Sequence, residues 1–166
     1  MYPGGKLVKL SPTDLSASAY TEGDIIFAKH ELAGAVRTNG GCSLLRSITI
    51  FVEGAVGNDD LTLLFFDNST DLGEPAADPA SDISADEFRT ASCIGRLELD
   101  ENVDAVQVAN GRLYTAGDDD GSQGPIFIQA VPGSSSIWVA CIQQGGTLDL
   151  TDTDSITCTF GFQYLD

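Results

Sequence analysis

His30 is the only histidine of the 166-residue chain, so a Ser or Cys triad would have to use it as the general base. Such a base needs a carboxylate that orients it and a nucleophile within hydrogen-bond reach. His30 stands in the polar stretch Lys29–His30–Glu31, which is typical of a turn, and no nucleophile motif surrounds any Ser or Cys. Neither G-x-x-x-x-G-K-[ST] nor H-E-x-x-H occurs. The sequence therefore predicts no catalytic residue and no enzyme.

Carboxylates are the other group that could do chemistry, since Asp and Glu together number 25. A glycoside hydrolase needs two of them flanking a sugar cleft, usually beside exposed aromatic side chains that hold the sugar. Aromatic residues make up only 8% of the chain, and most stand at positions where the strand alternation places side chains in the core. Trp138, the sole tryptophan, falls inside an apolar strand pattern, so core packing is its favoured role. A carbohydrate-active enzyme stays as a lesser alternative.

Three Asp-rich stretches could bind Ca²⁺, which prefers oxygen ligands. The best candidate is Asp118, Asp119 and Asp120, followed by Gly121; Asp59–Asp60 and residues 152–154 are similar. None has the spaced ligands and distal Glu of an EF-hand, and Asp clusters also form ordinary turns. We therefore expect solvated acidic turns without a metal or cofactor, and keep a Ca²⁺-binding domain as an alternative.

The four cysteines, Cys42, Cys93, Cys141 and Cys158, are far apart and show no C-x-x-C pair of the kind that zinc sites use. Cys141 and Cys158 lie inside apolar runs, where a free Cys behaves as a small hydrophobic residue. The N-terminus shows no basic region followed by an apolar run, so we expect no signal peptide. Without secretion, reduced and buried thiols are favoured over disulfides.

The segments that would position these residues read as short strands between turns rich in Gly and Asp. The strongest period-two pattern runs from residue 155 to 165, where apolar residues alternate with Thr, Gly and Gln. A Ser84–Glu87 capping box predicts one short helix at 84–90, and Asn110–Gly111 predicts a hairpin turn. The other expected strands are 25–28, 35–38, 43–53, 61–66, 94–99, 105–108, 112–115, 125–130 and 136–142.

This arrangement predicts an all-β fold: a jelly-roll-like β-sandwich of about eight strands with one short helix. Residues 1–20 contain several Gly and Pro and little apolar bulk, so they are expected to form an extended N-terminal arm. Residues 21–166 would form the β-sandwich domain. No stretch has the roughly 18 apolar residues that a membrane-spanning helix needs.

The net charge of the chain disfavours some classes of binding partner. Twenty-five acidic residues against eight Lys and Arg give a formal net charge of −17. Such a surface repels phosphate backbones and anionic membrane faces, so we expect neither nucleic acid nor a membrane as partner. Strong like charge also keeps particles soluble and apart.

The order of these features from residue 43 to the end resembles small β-sandwich proteins of tailed viruses (bacteriophages), the capsid decoration or cement proteins. The similar parts are 45–50 (Leu-Arg-Ser-Ile-Thr-Ile), the turn at Asp59–Asp60, 61–67, the loop at 83–86, 136–143 before Gly-Gly-Thr, and the final strand. Residues 1–20 and 116–124 have no counterpart in this pattern.

The resemblance implies a structural virion protein, made in the host cytoplasm, that binds the outer surface of a capsid and stabilises it. The major capsid protein would be its partner, and such proteins commonly self-associate as homotrimers. The family has no catalytic residues, so none is carried over. A tail, spike or head-fibre module that binds host glycans remains the main alternative.

Overall fold

The computed structural model describes residues 4–16, 19–54, 59–72, 85–117, 125–150 and 156–165. These ranges contain twelve strands and two short helices. In chain order they are β1 (Gly5–Leu10), β2 (Ala19–Thr21), β3 (Ile25–Leu32), β4 (Cys42–Glu53), β5 (Asp60–Phe66), α1 (Ala85–Thr90), β6 (Cys93–Leu99), α2 (Glu101–Asp104), β7 (Ala105–Val108), β8 (Gly111–Gly117), β9 (Ile126–Gln129), β10 (Ile137–Gly145), β11 (Thr147–Asp149) and β12 (Ile156–Tyr164).

Two antiparallel sheets contain most of these strands. The first sheet has the order β1-β12-β4-β8-β7, and β9 pairs with the start of β4 beside the end of β8. The second sheet has the order β3-β10-β5-β6, while β2 and β11 form a separate pair. When the eight principal strands (β1, β3, β4, β5, β6, β8, β10, β12) are renumbered one to eight, the sheets read 1-8-3-6 and 2-7-4-5. That is the order of a jelly roll, so the predicted all-β, jelly-roll-like sandwich is confirmed.

The core lies between these two sheets because each principal strand turns alternate side chains inward. In the first sheet Ile48, Ile50 and Val52 alternate with less buried residues along β4. Across the gap, the Phe65 ring of β5 meets the Phe160 ring of β12 edge to face at 6.3 Å. Both phenylalanines are fully buried, and edge-to-face pairs add to the stability that burial provides.

A smaller apolar cluster covers the outer face of the second sheet. Phe66 and Ala140 belong to that sheet, whereas Leu72 and Ala91 come from the connection between β5 and β6. Trp138 packs against this cluster as a partly buried side chain. The structure therefore places Trp138 in packing contacts, in agreement with the role predicted for it, although on the outer face of the sheet and not between the sheets.

The N-terminal residues differ from the predicted arm. Residues 5–10 form β1, which pairs with β12 along its whole length, and Leu15 and Tyr20 are buried in the core. The prediction failed because β1 is an edge strand: only Val8 is buried, so Lys6, Leu7 and Lys9 gave no apolar alternation.

Other differences concern short elements. The strand expected at 35–38 is a series of bends, in which Ala35 and Val36 are buried without strand pairing. The hairpin between β7 and β8 turns at Ala109 and Asn110, and Gly111 begins β8. Gly111 is required there because a Cβ would lie 2.5 Å from the Val52 carbonyl oxygen. Short pairs such as β2–β11 and the one-turn helix α2 bury too few side chains to leave a periodic pattern.

Candidate functional site

His30 lies in strand β3, so the prediction that it stands in a turn is wrong. Its Nε2 lies 2.6 Å from Asp14 Oδ1, and the Ala28 amide donates a 2.8 Å hydrogen bond to Asp14 Oδ2. Burial alone would raise the pKa of Asp14, but the hydrogen bonds from His30 and Ala28 outweigh it and hold that pKa below its ordinary value. Through these hydrogen bonds, Asp14 holds the segment that follows β1 against strand β3.

The His30–Asp14 pair resembles the orienting half of a triad, which also needs a nucleophile next to the base. The His30 ring packs edge to face on the Phe27 ring, with the ring centroids 5.8 Å apart. Phe27 has no nucleophilic group, and Asp14 is itself the carboxylate that would orient the base. In this geometry the pair serves to hold the chain together.

A second polar cluster gathers four charged side chains at one end of the sandwich. Asp59 directly precedes β5 and Asp60 begins it, Glu101 begins α2, and Arg112 belongs to β8. Glu101 Oε2 accepts a 3.1 Å hydrogen bond from the Asp59 amide, and Asp60 Oδ1 accepts one of 2.9 Å from the Glu101 amide. Glu101 also forms an ion pair with Arg112. We call Asp59, Asp60, Glu101 and Arg112 the acidic cluster.

Asp59 is the unusual member of the acidic cluster. Its side chain is fully buried, and neither carboxylate oxygen has a hydrogen-bond partner among the described residues. Burial raises its pKa to about 6; Arg112 opposes this shift, and the charges of Glu101 and Asp60 add to it. The solvated acidic turn expected at Asp59–Asp60 is therefore wrong for Asp59.

The backbone of Asp59 is also fixed by the buried Tyr114. The Tyr114 hydroxyl donates a 2.7 Å hydrogen bond to the Asp59 carbonyl oxygen. Burial raises the pKa of Tyr114, and the neighbouring Asp59 adds to the effect. Tyr114 therefore stays protonated and acts as a fixed donor.

A pocket of about 160 Å³ lies beside the Glu101–Arg112 ion pair and is also lined by Ala105, Val106 and Gln107. Asp59 is not among its lining residues, so a ligand in this pocket would meet Glu101 but not the carboxyl with the raised pKa. Glycoside hydrolysis needs two carboxyl groups that both reach the sugar. The cluster and its pocket do not provide that arrangement.

The metal candidates have different outcomes. Asp118, Asp119 and Asp120 lie outside the described residues, and so do residues 152–154. Within the described ranges, no group of three or more His, Cys, Asp or Glu side chains is placed to hold a metal ion. Asp59–Asp60 therefore does not form such a site with its described neighbours.

All four cysteines are free thiols. Cys141 and Cys158 are buried, as their apolar surroundings predict, and burial raises the pKa of Cys158 to about 12 and that of Cys141 well above its ordinary value. Cys93 is exposed and Cys42 is half-buried, so burial was wrongly expected for Cys93.

Sequence reasoning missed Asp14, Glu101, Arg112 and Tyr114. They are distant in sequence from the residues that they contact, and no spacing rule joins them. The one local signal was at Asp100, which caps α2 by accepting a hydrogen bond from the Asn102 amide. That cap could have indicated the helix that positions Glu101.

Comparisons with known proteins leave the family of the chain open. No protein-family model and no curated protein matches it. Among solved structures, the D431N mutant VP2 protein of infectious bursal disease virus, from derived T=1 particles, aligns with a TM-score of 0.19 at 10% identity. The alignment covers 95% of this chain and 39% of that one. So low a TM-score carries no argument about fold or function. Among the described residues, no helix is long and apolar enough to cross a bilayer.

Proposed function

We propose that this chain is a structural virion protein, a decoration or cement protein that binds the outer surface of a viral capsid and stabilises it. Its partners would be the major capsid protein and further copies of itself, in a homotrimer. It would be made in the host cytoplasm and reside on the virion. The observation that carries the proposal is the strand order 1-8-3-6 and 2-7-4-5, the jelly roll, an architecture shared by viral capsid domains, lectins and cupins.

The packing supports a mechanical role. The two sheets share one continuous core, and a second cluster seals the outer face of the β3-β10-β5-β6 sheet. A protein that reinforces a shell must transmit force without deforming, and close-packed interiors have low compressibility. The rigid sandwich suits that task.

The electrostatics support a surface position. A net charge of −17 disfavours contact with encapsidated nucleic acid and with anionic membranes. On the outside of a particle the same charge would limit aggregation between particles. These properties fit the exterior of a capsid better than its interior.

The test uses particles from the virus that encodes the chain. The chain should be found in purified heads by mass spectrometry, and the purified protein should bind heads that lack it and raise their melting temperature. Protein unfolded before addition is the control for non-specific adsorption. Failure of the folded protein to co-sediment with these heads would contradict the proposal.

A tail, spike or head-fibre module that binds host glycans is the second candidate. It is favoured by Phe127 of β9, whose side chain is 54% exposed and could stack on a sugar ring, and by the use of jelly rolls in lectins. A glycan array should then show binding that Phe127→Ala abolishes. Capsid binding without any glycan binding would exclude this candidate.

A further inference from the structure

The strand order β1-β12-β4-β8-β7 of the first sheet ends in two free edges that differ in chemistry. Strand β1 lies at one end and β7 at the other, and neither has a second neighbour among the described strands. Of the three lysines in the chain, two, Lys6 and Lys9, are in β1. Between them, Leu7 is 68% exposed. The β1 edge is thus basic in an otherwise acidic molecule.

The β7 edge has the opposite character. The strand itself, Ala-Val-Gln-Val, has no charge, and Val106 and Val108 are 59% and 42% exposed. Edge strands are normally protected from pairing with other chains by charged residues, proline or bulges. Strand β7 has no charged residue or proline and pairs with β8 without a bulge.

Acidic residues flank this apolar edge. Helix α2 directly precedes β7 and contributes Glu101 and Asp104, and its cap is Asp100. The one basic group here, Arg112, is already paired with Glu101. A partner of β7 would therefore combine apolar contact with positive charge near the start of the strand.

The β1 edge offers that combination with matching geometry. Four successive antiparallel pairings separate β1 from β7, so the two strands run in the same direction. Leu7 is opposite Gly161, which is opposite Ser47 on the outer face of the sheet. Val106 is opposite Leu113, which is opposite Phe51 on that same face. Leu7 and Val106 therefore lie on the same face of the sheet, so they can pack together when β1 of one copy docks along β7 of another.

We propose that copies of this chain associate head to tail, with β1 of one copy docked in parallel along β7 of the next. Leu7 then packs on Val106, and the lysines of β1 bring positive charge toward Glu101 and Asp104 at the start of β7. Lys6 keeps this charge while its Nζ donates a 2.7 Å hydrogen bond to the Ala33 carbonyl oxygen of its own chain. The charge pattern favours this contact, because two copies of net charge −17 otherwise repel each other. A head-to-tail contact joins two different surfaces, and a closing rotation turns it into a ring.

This inference deepens the self-association within the proposed function, and it is tested without any capsid. Sedimentation equilibrium should show that the natural protein is a closed oligomer, a trimer in the simplest case. Val106→Lys should block the β7 edge, and Leu7→Glu should block the β1 edge. Each change should weaken self-association at least about tenfold, since an unpaired charge would be buried in the contact. Phe127→Lys, an equally exposed apolar position on β9, is the control and should assemble normally.

Mixing the two variants distinguishes this contact from a two-fold one. Each variant alone should be monomeric, but together they retain one intact β1 edge and one intact β7 edge and should associate in a 1:1 ratio. If β7 instead pairs with β7 of another copy, Leu7→Glu will assemble as the natural protein does, and the proposal fails. A monomeric natural protein would also overturn it. If the monomeric variants still bind heads, the decoration function is supported even though the head-to-tail contact is not needed for it.

Discussion

The carboxyl group of Asp59 illustrates how a single residue can oppose the stability of the fold. It is fully buried, its oxygens have no hydrogen-bond partner among the described residues, and Glu101 and Asp60 add negative charge nearby. A buried carboxylate in this setting costs free energy when it is ionised and less when it is protonated. Asp59 should therefore make stability depend on pH.

The direction follows from its pKa, which burial raises from 3.8 to about 6. The native state binds this proton more tightly than the unfolded state, so the Asp59 contribution to the free energy of unfolding falls as pH rises from about 4 to about 6. Above about pH 6 this contribution to the free energy of unfolding stays low. Asp59→Asn cannot ionise, so its stability relative to the natural protein should improve by about 1–2 kcal/mol between pH 5.0 and pH 7.5.

Urea unfolding at the two pH values measures this difference. Asp149→Asn is the matched control, because it removes the same charge from an exposed position on β11. Its stability relative to the natural protein should change little between the two pH values. A constant gap between Asp59→Asn and the natural protein would show that Asp59 does not titrate in this window.

At the residue scale, sequence predicts burial where the environment is local. Cys141 and Cys158 stand between apolar neighbours, and their burial was predicted correctly. The environment of Asp59 is not local, because Glu101 and Arg112 come from α2 and β8, more than 40 residues further along the chain. The contact between Asp14 and His30 likewise depends on how the segment after β1 folds back on β3.

At the scale of elements, the connection from β5 to β6 is held to the second sheet by Lys29. Its described residues include α1, which has no buried residue of its own, yet Leu72 before α1 and Ala91 directly after it are buried against the sheet. Lys29 of β3 contacts the connection on both sides of α1. Its Nζ donates hydrogen bonds to the Asn68 and Ala91 carbonyl oxygens, at 3.3 and 3.0 Å, and lies 3.9 Å from the Phe66 ring centroid.

Lys29→Met should therefore loosen this connection. Methionine keeps the apolar stem but loses the ammonium donor and its contact with the ring, so unfolding should become easier by about 1–3 kcal/mol. Amide hydrogen exchange should accelerate in α1 and around Asn68 before it changes in β4 or β12.

Arg89→Met provides the comparison for this experiment. Arg89 lies in α1 and pairs with Asp86, but its side chain is 74% exposed, and exposed ion pairs contribute little. Its exchange pattern should match that of the natural protein. Unchanged exchange in Lys29→Met would show that apolar packing alone holds the connection.

The sequence predicts elements well when several side chains of one strand are buried on the same face. In β12, Ile156, Cys158, Phe160 and Phe162 are all buried, and their period of two identified the strand. The short strands β2 and β11 each bury one side chain and were missed. Strand order was not readable from periodicity, since it depends on contacts between strands that are far apart in sequence.

At the scale of the molecule, one layer of contacts joins the two sheets. Strands within a sheet are held by backbone hydrogen bonds, whereas the two described sheets meet mainly through side chains in the shared core. Like charges spread over the exterior act against this compact state. The inter-sheet layer therefore has to supply most of the stability of a rigid block, and Phe160 against Phe65 lies within it.

Truncation of Phe160 measures that contribution. Phe160→Ala should lower the free energy of unfolding by about 3–5 kcal/mol, through lost burial and the cavity left between the sheets. Phe160→Leu, which fills most of the space, should lose about 1–2 kcal/mol and remain folded. Phe127→Ala removes the same ring from an exposed position and should stay within about 0.5 kcal/mol of the natural protein. Denaturant unfolding followed by tryptophan fluorescence gives all three values. Equal stabilities of Phe160→Ala and Phe127→Ala would mean that the sheets do not depend on this contact, and a stiff reinforcing block would then need another source of rigidity.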